Sequence, residues 1–442
     1  MSRRPLRRTA GQSPLRVLVM SHMHPRVSKG GAEIAAYQIF GEFKACHDVQ
    51  PFFLAASGGR VQERLGARFV QPWGGDEFVY SGAGFDHWIH ANPDPEFPPE
   101  FAALLRELAP DIVHLHHYTN FGVETLLHIR RALPQARIVL TLHEYLAVCN
   151  HFGQMVKRPD FQLCERSAPR DCTKCFPERS EQDFFLRDLY LKRFFRLVDH
   201  FVSPSVFLAD RYAAWGLDRK AFSVIENGMP VPAGLPAAAP AAPKGRDLVF
   251  GFFGQISQLK GIDVALDAAD MLDKAKVQGL RIDIHGDHSG QPPKFREQFE
   301  ARLENLPPNI RFCGPYENAR VHALMRSADA VLVPSIWWEN SPLVIQEAFL
   351  NRRPVICSDI GGMAEKVRDG LDGFHFQAGS AWALATLLRE LAEDPARLAA
   401  VQATLAIPPA LRDTAAANLR LYRRLVALRQ APATVHSDER GT

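Results

Sequence analysis

The chain has 442 residues, 46% of them hydrophobic and 23% charged, a composition that excludes disordered, collagen-like and disulfide-scaffold classes and, at roughly 100 to 200 residues per domain, suggests two domains. Its 52 Lys and Arg against 49 Asp and Glu leave a formal net charge of +3, too balanced for a surface built to hold nucleic acid. No apolar run approaches the roughly 20 residues needed to span a bilayer.

In chain order, residues 1–13 carry Arg3, Arg4, Arg7 and Arg8 without an acid or a following apolar stretch. They read as a disordered basic tail on a cytoplasmic protein, not as a secretory signal. Val17–Met20 is a continuous apolar run, as expected of a strand buried on both faces, and Gly30-Gly31 then opens a helical stretch over 32–43. Glycines there let an anionic group come close to backbone amides, although such a pair can also be a plain turn. Further short apolar runs at 111–115, 137–142 and 200–203, separated by helical-period segments, predict a parallel sheet with helices on both faces in a first domain over 14–228. His143 follows the strand at 137–142 and so falls at the carboxyl end of a central strand.

An insert at 149–175 then holds Cys149, Cys164, Cys172 and Cys175, four of the seven cysteines, the last two as a C-x2-C pair. The segment is too polar to make its own core, so a structural zinc on four thiolates is expected, with free buried thiols or a labile disulfide as alternatives. Residues 184–198, FFLRDLYLKRFFRLV, combine apolar and basic positions at helical spacing. They suit an ordinary packed helix, or peripheral contact with the anionic inner membrane face or a lipid-linked acceptor.

Residues 229–246 turn to Pro and Ala and read as a linker. Strands restart at 249–254, 281–286, 310–314, 330–335 and 354–358, predicting a second doubly wound domain over 247–405. A terminal helix at 406–430 could cross back to the first domain, and 431–442 read as a disordered tail. The fold class is therefore α/β, two Rossmann-like domains. Neither carries the G-x-G-x-x-G dinucleotide fingerprint, but such a pair can still hold a nucleotide at the carboxyl ends of its strands.

Two stretches of the second domain carry chemistry. In FGFFGQISQLKG, 250–261, a strand delivers Gly254 and Gln255, and Lys260 stands beside Gly261, a cation next to flexible backbone that suits a diphosphate. In 333–376 a strand leads to a loop with Glu339-Asn340-Ser341-Pro342. A helix beginning near Pro342 then places Glu347 in its second turn and leaves the amides of Ser341 and Leu343 available to phosphate or hydroxyl groups. A further strand at 354–358 and a helix opened by Gly361-Gly362, with Glu365, complete the stretch. Loops near Gly286 and at 313–316 are the expected neighbours of a nucleotide base.

Glu339 and Glu347 in this setting resemble the E-x7-E signature of family 4 of the retaining glycosyltransferases, and the resemblance extends from Arg16 to about Leu425. It implies a GT-B arrangement of two Rossmann-like domains and transfer of a hexose-type sugar from a nucleoside diphosphate sugar to a glycan or lipid-linked acceptor, in polysaccharide or glycoconjugate synthesis. By the same resemblance Glu347 would bind the ribose hydroxyls, Glu339 and the loop amides after it the donor sugar, and Lys260 the diphosphate. Gln255 stands where the family usually has an arginine, removing one charge from that task. Gly30-Gly31 with Glu33 matches a family Gly-Gly-x-Glu, and His143 a histidine near the donor sugar, so Glu339, His143 and Lys260 are the expected catalytic residues. No Asp-x-Asp ends a strand, so catalysis without a metal cofactor is expected, by front-face substitution. The rival readings are a nucleotide-sugar epimerase or phosphorylase on the same architecture, and a non-catalytic nucleotide-sugar or glycan-binding relative.

Overall fold

The computed structural model describes residues 13–28, 30–61, 67–82, 84–158, 160–231 and 245–430. Both expected tails, but for Pro14's neighbour Ser13, and positions 232–244 of the expected linker lie outside them. The chain divides into two compact units. One comprises the chain through Thr141, Tyr190–Val202 and the segment from Arg412 onward; the other comprises Leu142–Leu189 and Ser203–Leu411. Residues 142–189 and 203–228, expected in the first domain, thus group with the second unit.

The first unit is built on β1 (Leu15–Ser21), β2 (Val49–Ala56), β3 (Phe69–Val70), β4 (Glu77–Tyr80), β5 (Ile112–Leu115), β6 (Arg137–Thr141) and β7 (His200–Ser203), in the order β3-β4-β2-β1-β5-β6-β7. All pairs are parallel except β3 with β4. Val17 to Met20 are fully buried, as a strand covered by helices on both faces must be. The chain leaves β1 to one side for β2 and returns to its other side for β5, which makes the carboxyl ends of β1 and β5 the topological switch point of this sheet. The terminal helix Leu411–Gln430 belongs here from Arg412 onward. Its Tyr422 is fully buried, hydrogen-bonded to His114 and edge-on to Phe43, and Arg137 Nε donates to the Leu425 carbonyl at 3.1 Å.

The second unit contains the short β8 (Phe222–Val224) and a six-stranded parallel sheet of β9 (Leu248–Phe253), β10 (Leu280–His285), β11 (Ile310–Gly314), β12 (Ala330–Val333), β13 (Val355–Ser358) and β14 (Gly373–Phe376). The order is β11-β10-β9-β12-β13-β14. Alternation along the strands feeds two cores. Phe250, Phe252, Ala330, Leu332 and Ile356 pack in one cluster, while Phe253, Val331, Val333, Val355 and Cys357 pack in another. Both faces are therefore buried, and the strands read as unbroken apolar runs. Here the winding reverses between β9 and β12, so the loops after those two strands meet at the switch point. Among the described residues no helix is long and apolar enough to cross a membrane.

Candidate active site

The β9 loop brings Lys260 and the β12 loop brings Glu339 to that switch point, 79 residues apart in sequence, with Lys260 Nζ 2.6 Å from Glu339 Oε1. The approach depends on Gly261, which begins the helix Ile262–Lys274 at φ +71°; a Cβ there would lie 1.8 Å from the Pro334 carbonyl. The same Glu339 oxygen accepts from Ser335 Oγ and Trp337 Nε1, each at 2.9 Å. Three donors on one buried oxygen fix the carboxylate. Lys260 is thus not an uncommitted cation waiting for phosphate, as its sequence position suggests, but half of an ion pair.

The loop carrying Glu339 is held from beneath by the helix Gly361–Lys366. Gly362 N donates to the Glu339 carbonyl at 2.6 Å, and a Cβ on Gly362 would lie 1.7 Å from the Asn340 carbonyl. Only glycine permits that contact. Pro342 caps the helix Leu343–Leu350, its carbonyl accepting from the Ile345 amide at 3.1 Å. Ser341 is less available than expected, because its hydroxyl is bonded to Glu226, which also accepts from Gln346 Nε2 at 3.1 Å and pairs with Lys366.

Glu347 differs from Glu339 in kind. No hydrogen bond or ion pair reaches its carboxyl among the described residues, and burial alone pushes it up to about 7. Burial, with the Glu347 charge second, pushes Tyr316 up to about 12. A desolvated carboxyl without a protein partner is an acceptor arranged for a ligand.

Gly254, at φ +125°, turns the chain out of β9, and Gln255 is exposed with no hydrogen bond among the described residues. Gly286 is required for packing: a Cβ there would lie 2.0 Å from the Gly254 carbonyl. Beside it His285 stacks on Phe253 at 4.8 Å, and Tyr316 stands edge-on to both rings.

His143 and the cysteine insert belong to this same unit and touch the Glu339 loop on both flanks. Asn340 Nδ2 donates to the His143 carbonyl, and Trp338 Nε1 donates to the Cys164 carbonyl at 3.1 Å. Arg211 lies 4.7 Å over the Trp338 ring and donates to the Glu165 carbonyl at 2.5 Å. It is the His143 backbone that these contacts use. The insert thus bonds to the loop that carries Glu339.

Burial pushes the Cys149 thiol up to about 12 and Cys172 to about 11, and raises Cys164. A tetrahedral zinc shell with Zn–S near 2.3 Å places sulfurs roughly 3.8 Å apart. Among the described residues the one set of three metal-ligating side chains with all ligand atoms within 4.8 Å is Asp283, His285 and Cys313, so Cys149, Cys164, Cys172 and Cys175 are not gathered into such a shell. Asp283 is itself held by Arg281 at 2.8 Å and Arg311 at 2.6 Å, and two guanidiniums repel a metal ion.

In the first unit Gly30 caps the helix Gly31–Lys44 without a side-chain bond. Its missing Cβ makes room for Glu33, whose Oε2 would otherwise lie 2.4 Å away. Glu33 is buried and pairs with His22 Nε2 at 3.3 Å. Burial would raise its carboxyl, but the hydrogen bond and charge of His22 hold it below the ordinary value. An acid of the chain itself therefore occupies the neighbourhood where Gly30-Gly31 suggest a bound anion.

Ser335, Trp337, Trp338, Glu226 and Lys366 are site residues that sequence reasoning does not single out. The adjacent Trp337-Trp338, in a chain with 6 Trp, is the signal that could have drawn attention to this loop.

Residues 29–231 match the model of Glycosyltransferase Family 4 and residues 238–404 that of Glycosyl transferases group 1. The chain is thus similar to glycosyltransferases of family 4 over its first half and of group 1 over its second, and its two Rossmann-like units match the GT-B arrangement. It is similar to the D-inositol 3-phosphate glycosyltransferase of Nocardia farcinica, 30% identical over 294 residues, covering 63% of this chain and 58% of the relative. The enzyme of the same name from Rhodococcus opacus is 28% identical over 320 residues, 68% and 65% of the two chains. The chain thus spans 58% and 65% of the length of these two relatives. Among solved structures, sucrose-phosphate synthase of Thermosynechococcus elongatus superposes with a TM-score of 0.67 at 17% identity, over 94% of this chain and all of the other. The Anabaena protein HepE, crystallised with UDP, gives 0.64 at 17% identity over 93% and 100%.

Proposed function

We propose that the protein is a retaining glycosyltransferase that moves a hexose-type unit from a nucleoside diphosphate sugar to a glycan or lipid-linked acceptor. The observation that carries the reading is Glu347, a half-buried, desolvated carboxyl without a protein partner among the described residues near a helix N-terminus, where the two hydroxyls of a ribose would supply the missing donors. The Lys260–Glu339 pair supplies the second step. An arriving diphosphate competes for Lys260, and Glu339, still held by Ser335 and Trp337, is freed to accept from the hydroxyls of the donor sugar. Leaving-group charge then rests on Lys260 and the helix amides without a resident metal. The similar enzymes are named for a phosphorylated polyol, D-inositol 3-phosphate, which is the first acceptor to assay beside glycans and lipid-linked sugars.

Calorimetric titration of UDP-, GDP- and ADP-sugars into the wild type and Glu347→Ala tests the assignment. Binding of one donor by the wild type and its loss in the variant supports it; equal affinity of the two overturns the role of Glu347, and acceptor-independent epimerisation of the bound donor overturns the transferase reading.

A structural zinc on Cys149, Cys164, Cys172 and Cys175 is a separate proposal. It is supported by the gathering of four of the seven cysteines in one short polar insert, and it requires the insert to draw the sulfurs together. About one zinc per chain, lost with Cys172→Ser and Cys175→Ser together, supports it; metal-free protein that takes up no zinc overturns it.

A further inference from the structure

Glu226 lies 115 residues before Ser341 in sequence, yet its carboxylate is bonded on both sides of Pro342. Its Oε1 accepts from the Ser341 hydroxyl, from Gln346 Nε2 at 3.1 Å and from the Asn227 amide at 3.0 Å. Its Oε2 pairs with Lys366 Nζ, which also donates to the Pro204 carbonyl at 2.7 Å. Gln346 is buried and its Nε2 also reaches Ser341 Oγ at 3.4 Å, so Glu226, Ser341 and Gln346 close a triangle. All of these residues belong to the same compact unit.

Ser341 and Gln346 tie down different things. Ser341 ends the loop that begins at Glu339, whereas Gln346 lies on the helix Leu343–Leu350 immediately before Glu347. Glu339 is fixed by Lys260, Ser335 and Trp337, none of which is on that helix. Pro342, between loop and helix, has no N–H to contribute. The carboxylate that grips Ser341 and Gln346 together therefore sets the loop of one acid against the helix of the other, and bonds to a charged oxygen are the stronger kind.

We propose that Glu226 is a positioning residue for the donor: it fixes the Glu339 loop relative to the Glu347 helix, so that the sugar and the nucleoside of one donor molecule meet both acids at once. This rests on the reading above that Glu339 serves the sugar and Glu347 the ribose. Without Glu226 each half of the site keeps its own features, Glu339 its three donors and Glu347 its desolvation, but their relative placement is loosened. A ligand that spans both halves must then order them as it binds, and loses affinity accordingly. A nucleoside diphosphate without the sugar engages one acid only and is spared that loss.

The test is calorimetry with UDP-, GDP- and ADP-glucose, each against its sugar-free diphosphate, on the full chain. For the pair that binds, Glu226→Ala should weaken the sugar nucleotide about tenfold or more and the diphosphate less than about threefold. Ser341→Ala, which leaves the Lys366 pair in place, should shift the ratio of the two affinities in the same direction. Glu226→Gln keeps an oxygen for Ser341 and Gln346 but loses the ion pair, so it should melt lower than the wild type and still keep the wild-type ratio. A residue that only stabilises the fold would lower the melting temperature and leave the ratio unchanged in every variant. Equal loss of both ligands in Glu226→Ala, or a Gln variant with the same altered ratio as the Ala variant, overturns the proposal. If Glu226→Ala does not fold, Ser341→Ala and Glu226→Gln decide the question by the same ratio. A wild type that binds none of these nucleotides overturns the ribose role of Glu347 and this proposal with it, whereas a wild type that binds one, with variants that leave its ratio untouched, overturns the role of Glu226 alone.

Discussion

Replacing Glu347 by Gln should stabilise the ligand-free protein while it weakens donor binding. The carboxyl is raised from an ordinary 4.5 to about 7, with burial as its cause, which corresponds to about 3 kcal/mol against the ionised form in the fold. Water at the rim screens part of this, so the gain expected from Gln is about 1 to 3 kcal/mol. The sign follows from the two protonation states. Below about pH 4.5 folded and unfolded chains both hold the proton and the substitution changes little. Between 4.5 and 7 the unfolded chain ionises while the folded one does not, so wild-type stability falls as pH rises; above about 7 the loss is complete and constant. Thermal melts of wild type and Glu347→Gln near pH 8 and near pH 4 measure the difference, and calorimetry with the nucleoside diphosphate sugar measures the binding cost. A variant that is no more stable than wild type near pH 8, or equally stabilised near pH 4, would refute the account of Glu347 as a desolvated acid without a partner.

Three further outcomes are expected. Gly362→Ala puts a Cβ 1.7 Å from the Asn340 carbonyl and should displace the Glu339 loop, lowering stability by about 2 kcal/mol or more and donor affinity with it; Gly290→Ala, whose Cβ meets nothing within 4 Å, is the neutral control in the same melts and titrations. Trp338→Phe keeps a ring for Arg211 but loses the bond to the Cys164 carbonyl, a cost of about 1 kcal/mol that should appear as a several-fold loss of kcat/KM with little change in melting temperature. Gln255→Arg places a guanidinium on an exposed loop position beside Gly254 and should tighten binding of the nucleoside diphosphate product, read by calorimetry; weaker product binding would move Gln255 away from the diphosphate.

What the sequence determined by itself is local. Parallel strands buried on both faces must be short unbroken apolar runs, so β1, β5, β6, β7 and β9 to β13 were legible within a residue or two. Pro342 and Gly361-Gly362 likewise announced the helices that flank the Glu339 loop, because capping and close approach depend on residue type. Strands β2 and β14 escaped: β2 contains Pro51, and the four-residue β14 alternates Phe with Gly and His. What only tertiary structure decided is which distant groups meet. The reversal between β9 and β12 pairs Lys260 with Glu339, turning an apparent phosphate-gripping cation into one that a ligand must first detach. The folding of residues 142–189 onto the Glu339 loop gives the carbonyls of His143 and Cys164 to Asn340 and Trp338, and backbone carbonyls leave no signature in a sequence. Glu347 carried its spacing in the sequence, but its protonation came from burial by the assembled fold, since desolvation belongs to the surroundings of a carboxyl and not to its place along the chain.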